Sequence, residues 1–206
     1  YRLLMDYKLN VVKSKPDIRD YLYKNIINKN DLNHCPKTYM PERYIKGVRN
    51  QGKQGSCFAF SVACLKEFQE KKENNFSGYF SPQFFYDHRS NLKDDNPNND
   101  EGMYGRDAMK LLQTIGICDE RDYTYGEINK INKLDDNQKK ELYEKSKKNV
   151  IKSYARVGSI KELKLAIYTN GPCVICVPVY SNKKRMWKKG LGNKMLGGHA
   201  MAIVGY

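Results

Sequence analysis

Val48-Arg49-Asn50-Gln51-Gly52-Lys53-Gln54-Gly55-Ser56-Cys57-Phe58-Ala59-Phe60-Ser61 is the stretch that decides this chain. A glycine-rich approach ends in Gly55-Ser56, a single cysteine follows, and then an apolar run begins. Phe58, Val62, Leu65 and Phe68 recur at three to four positions, the helical period, and predict a helix over 57–71. Ser56 is the expected N-cap, which places Cys57 in the first turn. A thiol there faces unpaired backbone N–H groups and the positive end of the helix dipole. Both favour thiolate, so the expectation is a lowered pKa. Gly52 and Gly55 let the chain pass close to whatever docks at the sulfur.

Much later the chain reads Gly197-Gly198-His199-Ala200-Met201-Ala202-Ile203-Val204-Gly205-Tyr206. The first stretch resembles the active-site segment of papain-like cysteine peptidases, the cathepsin family: a Gln, a glycine-rich turn, Gly-Ser-Cys, an aromatic, then Ala-Phe-Ser. The second resembles that family's histidine segment. The interval from residue 57 to residue 199 falls in the range of about 130–150 residues expected between a papain-type Cys and His.

The resemblance implies an α+β, two-lobed papain-like fold. A helical lobe over about 47–150 would carry the nucleophile, and an incomplete β-barrel lobe over about 151–206 the histidine. Residues 1–46 would form an N-terminal arm. The resemblance further implies a cysteine endopeptidase with Cys57 as nucleophile, His199 as acid and base, and Gln51 with the Cys57 N–H as oxyanion donors. Neither metal nor organic cofactor is needed. The family orients its His with an Asn beyond the last residue here, so the sequence reads as C-terminally truncated. The competing expectation is a weak or inactive homologue that binds peptides.

Bulk properties narrow the alternatives. No apolar run approaches the roughly 18–20 residues of a membrane span, and no signal-peptide pattern is visible. The net charge of +14 raises the question of nucleic acid. The lysines are scattered, however, and lack the Arg/Gly/aromatic patterns of nucleic-acid modules. The expected partner is a peptide or protein substrate, and the expected state a monomer. Six cysteines are present. Cys64 falls within the apolar helix as a small core residue. Cys173 and Cys176 form a C-x-x-C inside a strand-like run, with no second pair at zinc spacing. Secreted papain-like enzymes carry a bridged cysteine three residues before the nucleophile. Gln54 stands there instead, which leans toward a reducing compartment.

Along the chain, Pro16-Asp17-Ile18-Arg19-Asp20 resembles the lead-in of bacterial and large-virus members, with Ile18, Tyr21 and Leu22 as expected anchors. The arm is read equally as a plain surface segment or as a cover for the cleft. Ser81-Pro82 starts a helix. Asn91–Asp100 reads as a solvated loop. Gly102, Met103 and Tyr104 resemble the family's substrate-cleft segment, with Met103 in place of its second glycine. Ala108, Met109, Leu112 and Ile115 mark a helix closed by Gly116. Gly126–Val150 is a lysine-rich insert with an exposed helix over 137–148 that contacts the core through Leu142. Ser159–Glu162 is a capping box opening a helix with Leu163, Ala166 and Ile167 inward. A strand over 173–180 follows Asn170-Gly171-Pro172. Trp187 is expected at the cleft rim, and His34 and His88 as surface or packing residues.

Overall fold

The 18-residue helix α1, Cys57–Asn74, is the spine of the molecule. The computed structural model describes residues 9, 11, 14, 16–91, 100, 102–182 and 185–206. The expected loop at Asn91–Asp100 lies outside the described residues except at its two ends. Phe58, Ala59, Val62 and Ala63 of α1 are buried with Phe80, Phe85, Tyr86, Leu111, Leu112 and Ile117. Each large side chain removed from water here contributes about 1.5–3 kcal/mol. Cys57 and Ala200 belong to the same cluster, so the core reaches the start of α1.

Helix α2, Pro82–Asp87, begins as expected: Pro82 occupies the first turn and the Ser81 hydroxyl accepts the Phe84 N–H. It buries every residue it contains. Helix α3, Gly105–Thr114, follows. Its chain exits through Gly116, φ +77°, where a Cβ would lie 2.1 Å from the Ser146 carbonyl. Helix α4, Asp136–Ser146, sits in the lysine-rich insert behind a full capping box from Asp135 and Gln138. As expected, Leu142 is its buried apolar contact, joining Phe84, Cys118, Tyr123 and Ile131.

Helix α5, Ile160–Asn170, starts at Ser159, whose hydroxyl accepts the Glu162 N–H. The expected reciprocal bond is displaced: the Glu162 carboxylate takes the Gly158 N–H and the Ser159 hydroxyl. The buried face is Leu165, Ala166 and Ile167, while Leu163 is only half-buried. Packing against Tyr23 and Leu32 of the arm selects that face. Strands β1, Cys173–Tyr180, and β2, Met195–Ile203, pair antiparallel. They form a two-stranded sheet among the described residues.

The arm is anchored differently from the expectation. Ile18 is fully exposed and Tyr21 largely so. The reason is local: Asp17 accepts the Arg19 N–H and the Asp20 N–H returns to the Asp17 carbonyl, a tight turn with Ile18 at its tip. Tyr23 is the buried anchor, its hydroxyl 3.1 Å from Thr169 Oγ1. Leu22 pairs its backbone with Arg156. Arg106 holds Asp20 with two bonds of 2.9 Å, and Arg156 adds a third at 3.4 Å.

Candidate active site

Cys57 is the first residue of α1, but Ser56 does not cap the helix with its side chain. Its hydroxyl instead lies 2.6 Å from the Tyr125 hydroxyl. The Ser56 carbonyl accepts the Phe60 N–H, and the Cys57 carbonyl accepts the Ser61 hydroxyl. Cys57 is 2% exposed. Burial pushes its thiol up, against the backbone N–H groups of Ala200, Phe58 and Cys57, which pull it down. The expectation of a lowered pKa is therefore corrected. Helix-end dipoles are present, but the desolvation of a buried anion outweighs them.

His199 comes from β2. In the strand register Val177 faces His199 and Cys176 faces Ala200. The Ala200 N–H donates to Cys57 Sγ at 3.5 Å, within reach for a sulfur acceptor. This contact joins the two sequence segments that the spacing paired. Burial lowers the His199 pKa, so thiol and imidazole are both biased to their neutral forms. His199 Nδ1 is buried with no hydrogen-bond partner among the described residues. Trp187 stacks parallel on the imidazole, 12° between planes and 6.2 Å between centroids.

Gln51 is buried in the turn before Cys57. Its Nε2 donates to the Gln54 carbonyl at 2.9 Å, which engages one of its two N–H groups. Gln54, in the position of the family's bridged cysteine, exchanges bonds with Gln83 and reaches the Gly126 carbonyl. The turn is held by two groups that motif reading missed. The Tyr125 hydroxyl donates to the Gln51 carbonyl at 2.7 Å, and its ring packs edge-on against Phe60, 4.8 Å away. Arg49 donates to Glu67 at 2.6 Å and to the Phe80 carbonyl at 3.0 Å. Burial pushes the Glu67 carboxyl up to about 7, despite Arg49. Tyr125 is far from Gln51 in sequence, and no local signal marks it.

Gly102 lies at φ +86° and gives its N–H to the Tyr86 hydroxyl at 3.2 Å. Asp100 accepts both the Tyr86 hydroxyl, at 2.5 Å, and the Gly55 N–H, at 2.7 Å. This knot ties the substrate-segment candidates to the turn before Cys57. Tyr104 is half-buried at the start of α3. Met103 is buried in the Cys57 cluster, so its side chain serves packing. His34 is a surface residue bonded to the Asn30 carbonyl, while His88 is buried with its Nδ1 on the Phe84 carbonyl.

The arm reaches this site. Gly198 donates to the Leu9 carbonyl at 3.0 Å, and Val11 donates to the Gly198 carbonyl at 3.2 Å. Val11 is buried in the cluster that holds Cys57. A Cβ on Gly197 would lie 1.9 Å from the Leu9 carbonyl, and one on Gly198 2.0 Å from that of Val11. Only glycine lets the arm come this near the strand of His199. The Ser14 hydroxyl then accepts the Arg106 N–H at 3.3 Å.

A family model described as papain family cysteine protease matches residues 36–206. A peptidase C1-like protein of Acanthamoeba polyphaga mimivirus is 26% identical over 228 residues, spanning 95% of this chain and 71% of its own. Among solved structures, xylellain, a cysteine protease from Xylella fastidiosa, superposes with a TM-score of 0.79 at 24% identity. It covers 96% of this chain and 79% of its own. Procathepsin B S9 from Trypanosoma congolense has a TM-score of 0.68 at 15% identity, over 96% of this chain and 70% of its own.

Proposed function

The chain belongs to the papain family of cysteine proteases, and from that premise we propose that it is an endopeptidase whose nucleophile is Cys57 and whose acid and base is His199. One observation carries the reading: the Ala200 N–H rests on Cys57 Sγ, which brings the histidine strand to the thiol. With both groups biased toward neutrality, the thiol proton passes to His199 as sulfur attacks the peptide carbonyl. The oxyanion that forms is held by the Cys57 N–H and by the uncommitted N–H of Gln51. The imidazolium then protonates the departing amine, and the C–N bond breaks. Water, deprotonated by the same imidazole, cleaves the thioester and regenerates the thiol. Gly102 and Tyr104 flank the acyl side of the substrate.

Residues 1–46 act as a propeptide-like cover over a peptidase domain of residues 47–206, helical to about 150 and β beyond. Val11, buried beside Cys57 and paired with Gly198, supports this. So does the likeness to a trypanosome pro-form. The Asp20–Arg106 pair is the clasp. Asp20→Asn should raise the rate at which an active-site-directed epoxide labels Cys57.

Cleavage of a fluorogenic dipeptide panel, with Cys57→Ala and His199→Ala as controls, tests the assignment. Turnover confined to the parent chain is the expected result. Equal turnover by Cys57→Ala would end it. Absence of both turnover and epoxide labelling in the parent chain and in Asp20→Asn would favour a peptide-binding homologue instead, for which the burial of Cys57 is the supporting observation.

A further inference from the structure

The geometry points to a selective subsite on the leaving-group side of the cleft, built around Trp187 and suited to acidic residues after the cut. This rests on the endopeptidase reading above. If His199 protonates the departing amine, that nitrogen must sit against the imidazole. The residues beyond it then pass over whatever flanks the ring. Trp187 does so, stacked at 12° on His199 and 47% exposed. An aromatic face beside a wet rim offers area to a passing side chain at little entropic cost.

The segment that carries that face holds charge of one sign. Arg185, Lys188, Lys189 and Lys194 are exposed on the segment between β1 and β2. Among the described residues none of the four has an ion-pair partner within 4.0 Å. Backbone bonds close this segment: Lys188 N–H on the Arg185 carbonyl, Tyr180 N–H on Met186, and Ser181 N–H on Lys194. From Leu163 to Tyr206 the chain contains no Asp or Glu. The nucleophile segment, from Arg43 to Lys66, contains none either and adds the exposed Lys53. The carboxylate bound to the nucleophile turn is Asp100. Its Oδ1 is committed to the Gly55 N–H and the Tyr86 hydroxyl. Both chain segments that carry the catalytic pair are therefore free of acid. An acidic leaving peptide meets only attraction from them, and a basic one only repulsion.

This subsite is distinct from the Gly102–Tyr104 segment, which lies on the acyl side, and it sets specificity without entering the chemistry. The test uses the full chain carrying Asp20→Asn, which opens the clasp of the arm, and two series of internally quenched peptides. The series share one acyl side and differ in carrying Glu or Lys at the three positions after the cut. The Glu series should show kcat/KM about five- to ten-fold higher, the yield of two or three screened surface pairs. Raising the salt to about 0.5 M should close most of the gap. The variant Arg185→Glu/Lys188→Glu/Lys189→Glu alters exposed side chains only and should invert the preference. Trp187 is the single tryptophan in the chain, so its emission reports binding directly in Cys57→Ala. It should respond to the Glu peptide at lower concentration than to the Lys peptide. Equal kcat/KM for both series, or Trp187 emission indifferent to peptide charge, overturns the subsite and leaves the peptidase standing. Absence of cleavage together with absence of epoxide labelling at Cys57 overturns both.

Discussion

Tyr125→Phe should damage catalysis while leaving the fold nearly intact. The substitution deletes one oxygen. That oxygen donates to the Gln51 carbonyl at 2.7 Å and meets Ser56 Oγ at 2.6 Å, so it ties down the turn on both sides of Gly52–Gly55. The ring contact with Phe60 remains. Each lost bond costs about 0.5–1.5 kcal/mol net, and a buried hydroxyl left without a partner about 1–3 kcal/mol. Ser56 is fully buried, so its orphaned hydroxyl adds to the loss, for a total of about 2–4 kcal/mol. Part of that loss falls on the position of Gln51. Removal of a whole oxyanion donor costs about 100- to 1,000-fold in kcat. A donor that is loosened but present should cost less, about five- to 100-fold, with KM little changed. The assay pairs steady-state kinetics with urea unfolding and with the rate of epoxide labelling at Cys57. Labelling should fall less than turnover, because alkylation makes no peptide-derived oxyanion. The double variant Ser56→Ala/Tyr125→Phe should unfold at a higher urea concentration than Tyr125→Phe, since no buried hydroxyl is stranded. Turnover by Tyr125→Phe within two-fold of the parent, or a kcat loss matched by an equal loss of labelling, would refute the reasoning.

Three further outcomes follow from the buried charges and one turn. Arg49→Met strands Glu67 and should cost about 3–5 kcal/mol at pH 8. Glu67 has a folded pKa raised to about 7 from 4.5, so its protonated form is the one the fold prefers. The penalty therefore grows as pH rises through that window, and urea midpoints should fall further at pH 8 than at pH 5. Adding Glu67→Gln should remove that pH dependence. His88 has the opposite sign. Burial lowers its pKa, so the unfolded chain binds the extra proton. Stability should then drop as pH falls through about 6.5, and His88→Phe should flatten that arm of the profile. Gly116→Ala meets the Ser146 carbonyl at 2.1 Å and a φ of +77°. It should lower the thermal midpoint by several degrees, whereas Gly126→Ala, which meets nothing within 4 Å, should do so much less.

What could be read from the sequence was short-range or tied to a motif. Phe58, Val62 and Phe68 mark α1, Ser81-Pro82 marks α2, and Asn170-Gly171-Pro172 marks the passage from α5 to β1, because helix period, caps and breakers act within one or two turns of chain. The Cys and His segments were legible because each carries a compact pattern, and their spacing suggested that they meet. What needed the tertiary structure were the relations between distant residues. Leu165 rather than Leu163 faces inward because Tyr23 and Leu32 pack there. Tyr125 braces Gln51, and Leu9 and Val11 lie on Gly198, through contacts that leave no trace in either partner's neighbourhood. The direction of the Cys57 pKa turned on the same distinction: the helix end is a local property, but the burial that outweighs it is assembled from Val11, Met103 and Ala200, three segments that Cys57 reaches only once the chain has folded.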